Sequence, residues 1–270
     1  MQRSYNWEIV TSLLAVDIGN SNITIGAFDD QELTATWRLA TRETRTVDEH
    51  AWALQGVLRS KGVEPDSFDA VVICSVVPPL TEAYVDALAQ LTTVEPLVIG
   101  PGVRTGIRIH YDRTQDVGAD RIVDAVAAHQ LYGGPLVVVD IGTATVFDAV
   151  TADGDYIGGA ISPGMEIAAD AMFRNTSLLR RVELIAPDQV IGRSTVASMQ
   201  SGFVYGFAEL IEGMLARFKM ELNPDAPEDV TVVATGGLAN LIAEHTESFN
   251  HVNPELTLVG LRLVHEMNNA

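Results

Sequence analysis

The sequence predicts an α/β protein made of two copies of one lobe. Three observations predict it. Two segments echo each other, LLAVDIGNSNITIGAFD from Leu13 and LVVVDIGTATVFDAV from Leu136, so that Asp17 and Asp140 hold equivalent places. The order of strands and helices around the two segments also agrees, as expected of a duplicated βββαβα lobe and not of two chance hairpins. The chain has 270 residues, and at about 150 residues per domain that is room for two small lobes. Two facing lobes leave a cleft, the favoured place for a ligand. The expected division is 12–115 and 116–270.

Each element follows from local pattern. Residues 1–11 match no strong pattern and read either as a frayed extension or as an early start site. From Leu13 come three strands with tight turns, LLAVDIG, ITIGAF and ELTATWRL, a meander. Val47 to Arg59 has helical spacing. Phe68 to Val77 is a nearly continuous apolar run, the mark of a buried strand. Pro78-Pro79 end it, and Leu80 to Leu91 reads as a helix; Pro96 to Ile99 is a short strand. After a loop at 116–120, Arg121 to Leu131 reads as a helix. A second meander follows: LVVVDIG, TATVFDAV and YIGGAIS. Val196, Met199, Phe203, Phe207, Leu210 and Met214 keep one face of a long helix over roughly 194–218. Val230 to Ala234 is a buried strand, Leu238 to Glu244 a helix, and Leu256 to Val259 a closing strand.

Composition excludes several classes. The chain is 47% hydrophobic and 20% charged, unlike a disordered protein. No apolar run approaches the roughly 18 residues of a membrane span, and none near the start suits a signal peptide. One cysteine, Cys74, rules out an intrachain disulfide and a multi-cysteine zinc site. The expected compartment is the cytoplasm. The formal charge of −19 repels nucleic acid and anionic membranes. With only Lys61 and Lys219 as lysines, an anionic ligand needs backbone N–H groups, helix N-termini, a few arginines and metal ions.

The motifs supply that help. Asp17 ends a strand, and Gly19, Asn20, Ser21, Asn22 and Thr24 follow. Glycine lets backbone N–H groups approach a phosphate, the side chains add donors, and Asp17 is placed to hold Mg²⁺ through phosphate or water. The second hairpin repeats the plan with Asp140, Thr143 and Thr145, and Asp148 adds a carboxylate. Gly118, Ala119, Asp120 and Arg121 run from a loop into a helix. Asp120 suits either a helix cap or a base that takes the proton of an alcohol attacking a γ-phosphate. Arg121 offers charge to a phosphate or a carboxylate. Gly236 and Gly237, after a buried strand, suit close approach of a nucleoside to backbone, or a plain tight turn. There is no P-loop, no dinucleotide fingerprint, no Gly-x-Ser-x-Gly and no His-Glu-x-x-His. Cys74, the six histidines and the tryptophans read as packing or surface residues.

These motifs together resemble the type III pantothenate kinases, bacterial enzymes of the sugar kinase, heat-shock chaperone and actin superfamily that begin coenzyme A synthesis. The likeness runs from Leu13 to about Leu261. It rests on DIGNSNITIGAFD, PGVRTG at 101–106, VGADRI at 117–122, VVVDIGTATVFD at 137–148, GGAISPG at 158–164, GRST at 192–195 and ATGG at 234–237. The resemblance implies two RNase H-like (actin-like ATPase) lobes and a kinase that phosphorylates pantothenate to 4'-phosphopantothenate with ATP and Mg²⁺. It implies that Asp17 to Thr24 is the ATP-phosphate motif and Thr143 a second ATP contact. Asp120 becomes the proton acceptor, Gly118–Arg121 a pantothenate-contacting segment, and Tyr111 and Thr195 further pantothenate contacts. Asp140 becomes the ligand of a monovalent cation, K⁺ or NH₄⁺. A homodimer through the helical region after Gly192 is implied as well. Val146 stands where relatives often have Thr, and Ser21 where Thr is commoner. The rival expectation is a non-catalytic, nucleotide-binding regulatory homologue of the same fold.

Overall fold

The computed structural model describes residues 12–269; the extension read at 1–11 lies outside the described residues. In chain order the elements are β1 (Ser12–Ile18), β2 (Asn22–Asp29), β3 (Glu32–Ala40), α1 (Val47–Ser60), β4 (Ala70–Ser75), α2 (Pro78–Ala89), β5 (Leu97–Val98), α3 (Ala119–Tyr132), β6 (Leu136–Ile141), β7 (Ala144–Val150), β8 (Tyr156–Pro163), α4 (Met165–Asn175), α5 (Thr195–Leu222), β9 (Thr231–Thr235), α6 (Ala239–Ala243), β10 (His251–Val252) and α7 (Leu256–Asn269).

The strands form two five-stranded sheets, β3-β2-β1-β4-β5 and β10-β9-β6-β7-β8. Each has the same grammar. A central strand pairs antiparallel with the next, that one antiparallel with a third, and the central strand parallel with a fourth. The echo in the sequence is therefore a repeat of topology, as expected of the duplicated, actin-like plan.

The chain divides into two compact units, but not at a single cut near 115. Among the described residues the first unit takes those up to Gly106, Gln115–Val126 and those from Thr257 on. The second takes Ile107–Thr114 and Ala127–Leu256.

In the first unit, alternate residues of β1, β2 and β4 (Leu14, Val16, Ile18, Ile23, Ile25, Val71, Ile73) pack against Leu54 and Leu58 of α1 and Leu80, Tyr84 and Leu88 of α2. A strand shows its side chains to alternate faces, so one face of this sheet belongs to α1 and α2. A capping box starts α1: Glu49 N donates to Thr46 Oγ1 at 3.3 Å and Thr46 N to Glu49 Oε2 at 2.8 Å. Two prolines start α2, where a missing N–H costs nothing. The other face meets α3 and α7. Gly26 faces Leu258, Phe28 lies under the Arg262 guanidinium at 5.9 Å, and Gly260 packs on Val123.

In the second unit Val137, Val139, Ile141 and Phe147 pack with Phe203, Ile211 and Leu215 of α5 and Ile242 of α6. The Ser194 hydroxyl accepts from Ala197 N at 3.1 Å and caps the 28-residue α5.

The strand expected over Leu256–Val259 is instead the first turn of α7. A short apolar run does not by itself distinguish strand from buried helix. Here Leu258, Leu261, Val264 and His265 are buried with helical spacing and decide for helix.

Candidate active site

In the first unit Asp17 is the next-to-last residue of β1. Its register partners are Thr24 on β2 and Cys74 on β4. Register partners share a face, so all three lie opposite the α1–α2 side. The turn beyond is pinned from outside. Gly19 N donates to Asn22 O at 3.0 Å, Thr41 Oγ1 donates to Gly19 O at 2.6 Å, and Thr41 N to Ser21 O at 3.0 Å. A Cβ on Gly19 would stand 3.0 Å from the Asn22 carbonyl. Asn20, Ser21 and Asn22 are left exposed on a fixed backbone. Sequence reading missed Thr41, because nothing local marks a residue that serves a turn two strands away.

Asp120 is the second residue of α3, and its Oδ1 accepts from Arg121 N at 2.8 Å. Any side chain at Gly118 would collide with that oxygen. The glycine is thus required for the carboxylate to tuck against the loop. Burial pushes the Asp120 carboxyl above its ordinary pKa, against the opposing pull of the Arg121 N–H and charge. Ala119 opens the helix, and Ala119 and Arg121 are half-buried.

Cys74 ties these groups together. Burial drives its thiol well above the usual range, and the charges of Asp17, Asp120 and Asp124 push it further the same way. Three carboxylates thus act on one buried thiol. Asp124 was not singled out from sequence. Its spacing of four from Asp120 on a helix was the available signal, since such residues share a face.

In the second unit Asp140 is the next-to-last residue of β6, with Val146 and Thr235 as register partners. Gly236 has φ +92°, and a Cβ there would collide with Asp140 Oδ1 and come within 2.7 Å of Ile141 N. Gly142 also approaches this carboxylate, at 3.4 Å from its Cβ position. Leu238 N donates to Ile141 O at 3.0 Å, closing the Gly236-Gly237 turn onto the end of β6. Gly164 N donates to Thr143 O at 3.2 Å and holds the β6–β7 turn.

Two expectations for this hairpin fail. Thr145 is register partner of Ile141, so it faces the α5 core, fully buried. Asp148 is buried and accepts from the Tyr156 hydroxyl at 2.8 Å. Both serve packing. Val146 lies on Asp140's face, where a Thr would have added a hydroxyl.

Tyr111 is partly exposed and leans on Tyr156, ring centroids 6.3 Å apart. Thr195 opens α5 and is exposed. The structure thus brings Asp17 and Asp120 together in the first unit and Asp140, Gly142 and Gly236 in the second. Tyr111 and Thr195 occupy further places in the second unit.

Asp140 fits a monovalent cation. Its carboxylate is flanked by backbone at two glycines, and one carboxylate among backbone groups suits a singly charged ion. Among the described residues no three His, Cys, Asp or Glu side chains group as a metal site. Mg²⁺ commonly takes one or two carboxylates and fills its shell with phosphates and water, and Asp17 beside the pinned turn fits that part. No described helix is long and apolar enough to cross a membrane.

Comparison with known proteins bears on the fold and the family. Solved structures of similar fold include a Campylobacter jejuni protein described as a Baf family transcriptional activator. It is 19% identical with TM-score 0.59, over 94% of this chain and 98% of that one. Another is a Sinorhizobium meliloti protein described as a 2-dehydro-3-deoxygalactonokinase, 16% identical with TM-score 0.56 over the same shares. At such identity these show the fold alone. Among curated relatives, the type III pantothenate kinase of Moorella thermoacetica is 46% identical over 256 residues, 95% of this chain and 99% of that protein. That of Roseiflexus sp. (strain RS-1) is 47% identical over 258 residues, 96% and 100%. The profile of the family matches residues 13–217. With its duplicated sheets, its paired aspartates and this full-length likeness, the chain belongs to the type III pantothenate kinase family.

Proposed function

We propose that the protein transfers the γ-phosphoryl group of ATP to the primary hydroxyl of pantothenate, giving 4'-phosphopantothenate and ADP for coenzyme A synthesis. The observation that carries the reading is the Asp120 carboxylate. It acts on the same buried Cys74 as Asp17 does, is held by the Gly118 loop, and is raised in pKa by burial. A base whose pKa moves toward the working pH is better matched to proton transfer. A pure binding module has no use for it.

In the proposed reaction the hydroxyl oxygen forms a bond to the γ-phosphorus. The bond from that phosphorus to the bridging oxygen breaks, and its electron pair leaves with ADP. Asp120 orients the hydroxyl and receives its proton. Arg121 and Gly118–Ala119 hold the acceptor, with Tyr111 and Thr195 as further pantothenate contacts. The turn from Asp17 through Gly19, Asn20, Ser21, Asn22 and Thr24 takes the phosphates, with Thr143, Gly236 and Gly237 completing the ATP contacts. Mg²⁺ carried with ATP, near Asp17, and K⁺ or NH₄⁺ at Asp140 supply positive charge that a protein of net −19 lacks. Positioning and charge neutralisation are the main catalytic terms for such a transfer.

We place the enzyme in the cytoplasm as a homodimer. The half of α5 bearing Leu210, Gly213 and Met220 supports the dimer, with Leu210 and Met220 exposed and Gly213 open to space. Incubation with ATP, Mg²⁺, K⁺ and pantothenate tests the function. The expected product has the mass of phosphopantothenate, and its absence overturns the reading.

A further inference from the structure

The segment before Tyr111 is held by a clasp that neither the motifs nor the resemblance pointed to. Tyr156 N donates to Arg108 O at 2.8 Å, and His110 N donates to Tyr156 O at 2.8 Å. Residues around Ile109 therefore add a short parallel bridge to the start of β8. One side chain fastens it. Asp155 Oδ2 lies 3.0 Å from His110 Nε2, and Asp155 Oδ1 lies 3.3 Å from Arg108 Nε. Asp155 is itself set by the turn before β8. Its N donates to Thr151 Oγ1 at 3.0 Å, and its carbonyl accepts from Thr151 N at 2.9 Å.

The next residue is Tyr111. Its ring leans on Tyr156, whose hydroxyl is fixed by Asp148 at 2.8 Å. It also faces Gly158, at φ +123°, where an added Cβ would reach the ring at 3.8 Å. The placement of Tyr111 therefore depends on where residues 108–110 are held. Asp155 is the one carboxylate in the clasp and is mostly buried, whereas Arg108 and His110 are largely exposed.

We infer that Asp155 is a positioning residue for pantothenate: it holds the Arg108–His110 segment by an ion pair to Arg108 and a hydrogen bond to His110 and so presents Tyr111 to the acceptor. The inference deepens the proposed role of Tyr111 and rests on it. Asp155 does not touch the reacting atoms. Its loss weakens acceptor binding and leaves the phosphoryl-transfer step and the ATP site alone. Ion pairs of this exposure are worth up to about 1 kcal/mol, or about fivefold in an equilibrium constant.

The test compares the full-length protein with Asp155→Ala, Asp155→Glu, Tyr111→Ala and the Asp155→Ala/Tyr111→Ala double variant. Steady-state kinetics are read against both substrates, with amide hydrogen exchange over 108–111. The expected result for Asp155→Ala is a KM for pantothenate raised about fivefold, with kcat and the KM for ATP within a factor of about two and faster exchange at 108–111. Asp155→Glu recovers part of the loss. The double variant is no worse than Tyr111→Ala alone, because both act through one ring. If Asp155→Ala does not fold, Arg108→Met/His110→Gln opens the same clasp from its exposed side, with the same expected kinetics. An unchanged pantothenate KM in an Asp155 or clasp variant, alongside a raised one in Tyr111→Ala, overturns this inference and keeps Tyr111 as a contact. An unchanged KM in Tyr111→Ala overturns both. No turnover by the unaltered protein overturns the kinase reading itself, and the inference with it.

Discussion

Asp17 and Cys74 are register partners across the parallel pair β1–β4, and Asp140 and Thr235 hold the same relation across β6–β9. The duplicated scaffold thus sets an aspartate beside a small residue at the end of each central strand. In the first copy the neighbour is a thiol, and burial, with the charges of three carboxylates, holds it well above its usual pKa.

Cys74 is therefore inert in the native state. It is fully buried, and thiolate formation is opposed by both burial and charge. Iodoacetamide at pH 8 is expected to leave the native protein unmodified and to add one equivalent after unfolding, read by mass. Rapid native labelling contradicts this placement of the thiol.

Asp120→Asn keeps the size of the side chain but removes its ability to take a proton. General-base loss costs about 10²–10⁴-fold in rate. We expect kcat to fall by that order while ATP affinity, by calorimetry, changes less than about threefold. An active Asn variant would assign proton removal to another group.

Thr41 holds two carbonyls of the Asp17–Asn22 turn. Thr41→Val deletes the 2.6 Å bond and keeps the shape. At about 1 kcal/mol for such a bond, the KM for ATP should rise roughly fivefold with the KM for pantothenate unchanged. The kinetic split checks it, since general destabilisation affects both alike.

Gly236 meets the Asp140 carboxylate at φ +92°. Gly236→Ala adds both strain and a collision, worth about 2 kcal/mol or more of stability, seen as a lowered melting temperature. Stimulation by K⁺ should weaken with it, and dialysis against Na⁺ should reduce the activity of the unaltered enzyme. Full K⁺ stimulation in a folded Gly236→Ala protein counts against Asp140 as the cation ligand.

His50 is buried against Tyr84, with both ring nitrogens lacking a hydrogen-bond partner among the described residues. Burial lowers its pKa, helped by Arg45 and opposed by Glu49. Tyr84 stays neutral, its hydroxyl pushed up to about 12. Above about pH 6.5 both folded and unfolded forms hold a neutral ring, so His50 contributes no pH dependence. Below it the unfolded chain binds the proton first, and stability falls as pH falls. The melting temperature should drop less between pH 7.5 and 5.5 in His50→Phe than in the unaltered protein. His265 shifts in the same direction and persists in both, so an equal drop assigns the effect there.

What was legible follows from the range of the forces involved. The meanders, the glycine turns and Asp17, Asp120 and Asp140 sit in local patterns, and the repeat doubled their weight. Thr41, Asp124 and Asp155 act through partners distant in sequence or through the far face of a helix, and no short window displays that. Thr145 escapes a motif reading because period-2 alternation turns it to the Ile141 face; Asp148 keeps the Asp140 face but is occupied by the Tyr156 hydroxyl eight residues on. The last helix was missed for the reason that its opening, LTLV, alternates like a strand while its helical face appears only further on.

That helix has a bearing on synthesis. Leu258 closes over Gly26, and Gly260 over Val123. The β1–β4 sheet thus borrows a layer from residues translated more than 170 positions after it. A ribosome-bound intermediate stalled short of residue 257 leaves that side of the β1–β4 sheet wet, so completion of the sheet that carries Asp17 waits for α7 to clear the exit tunnel.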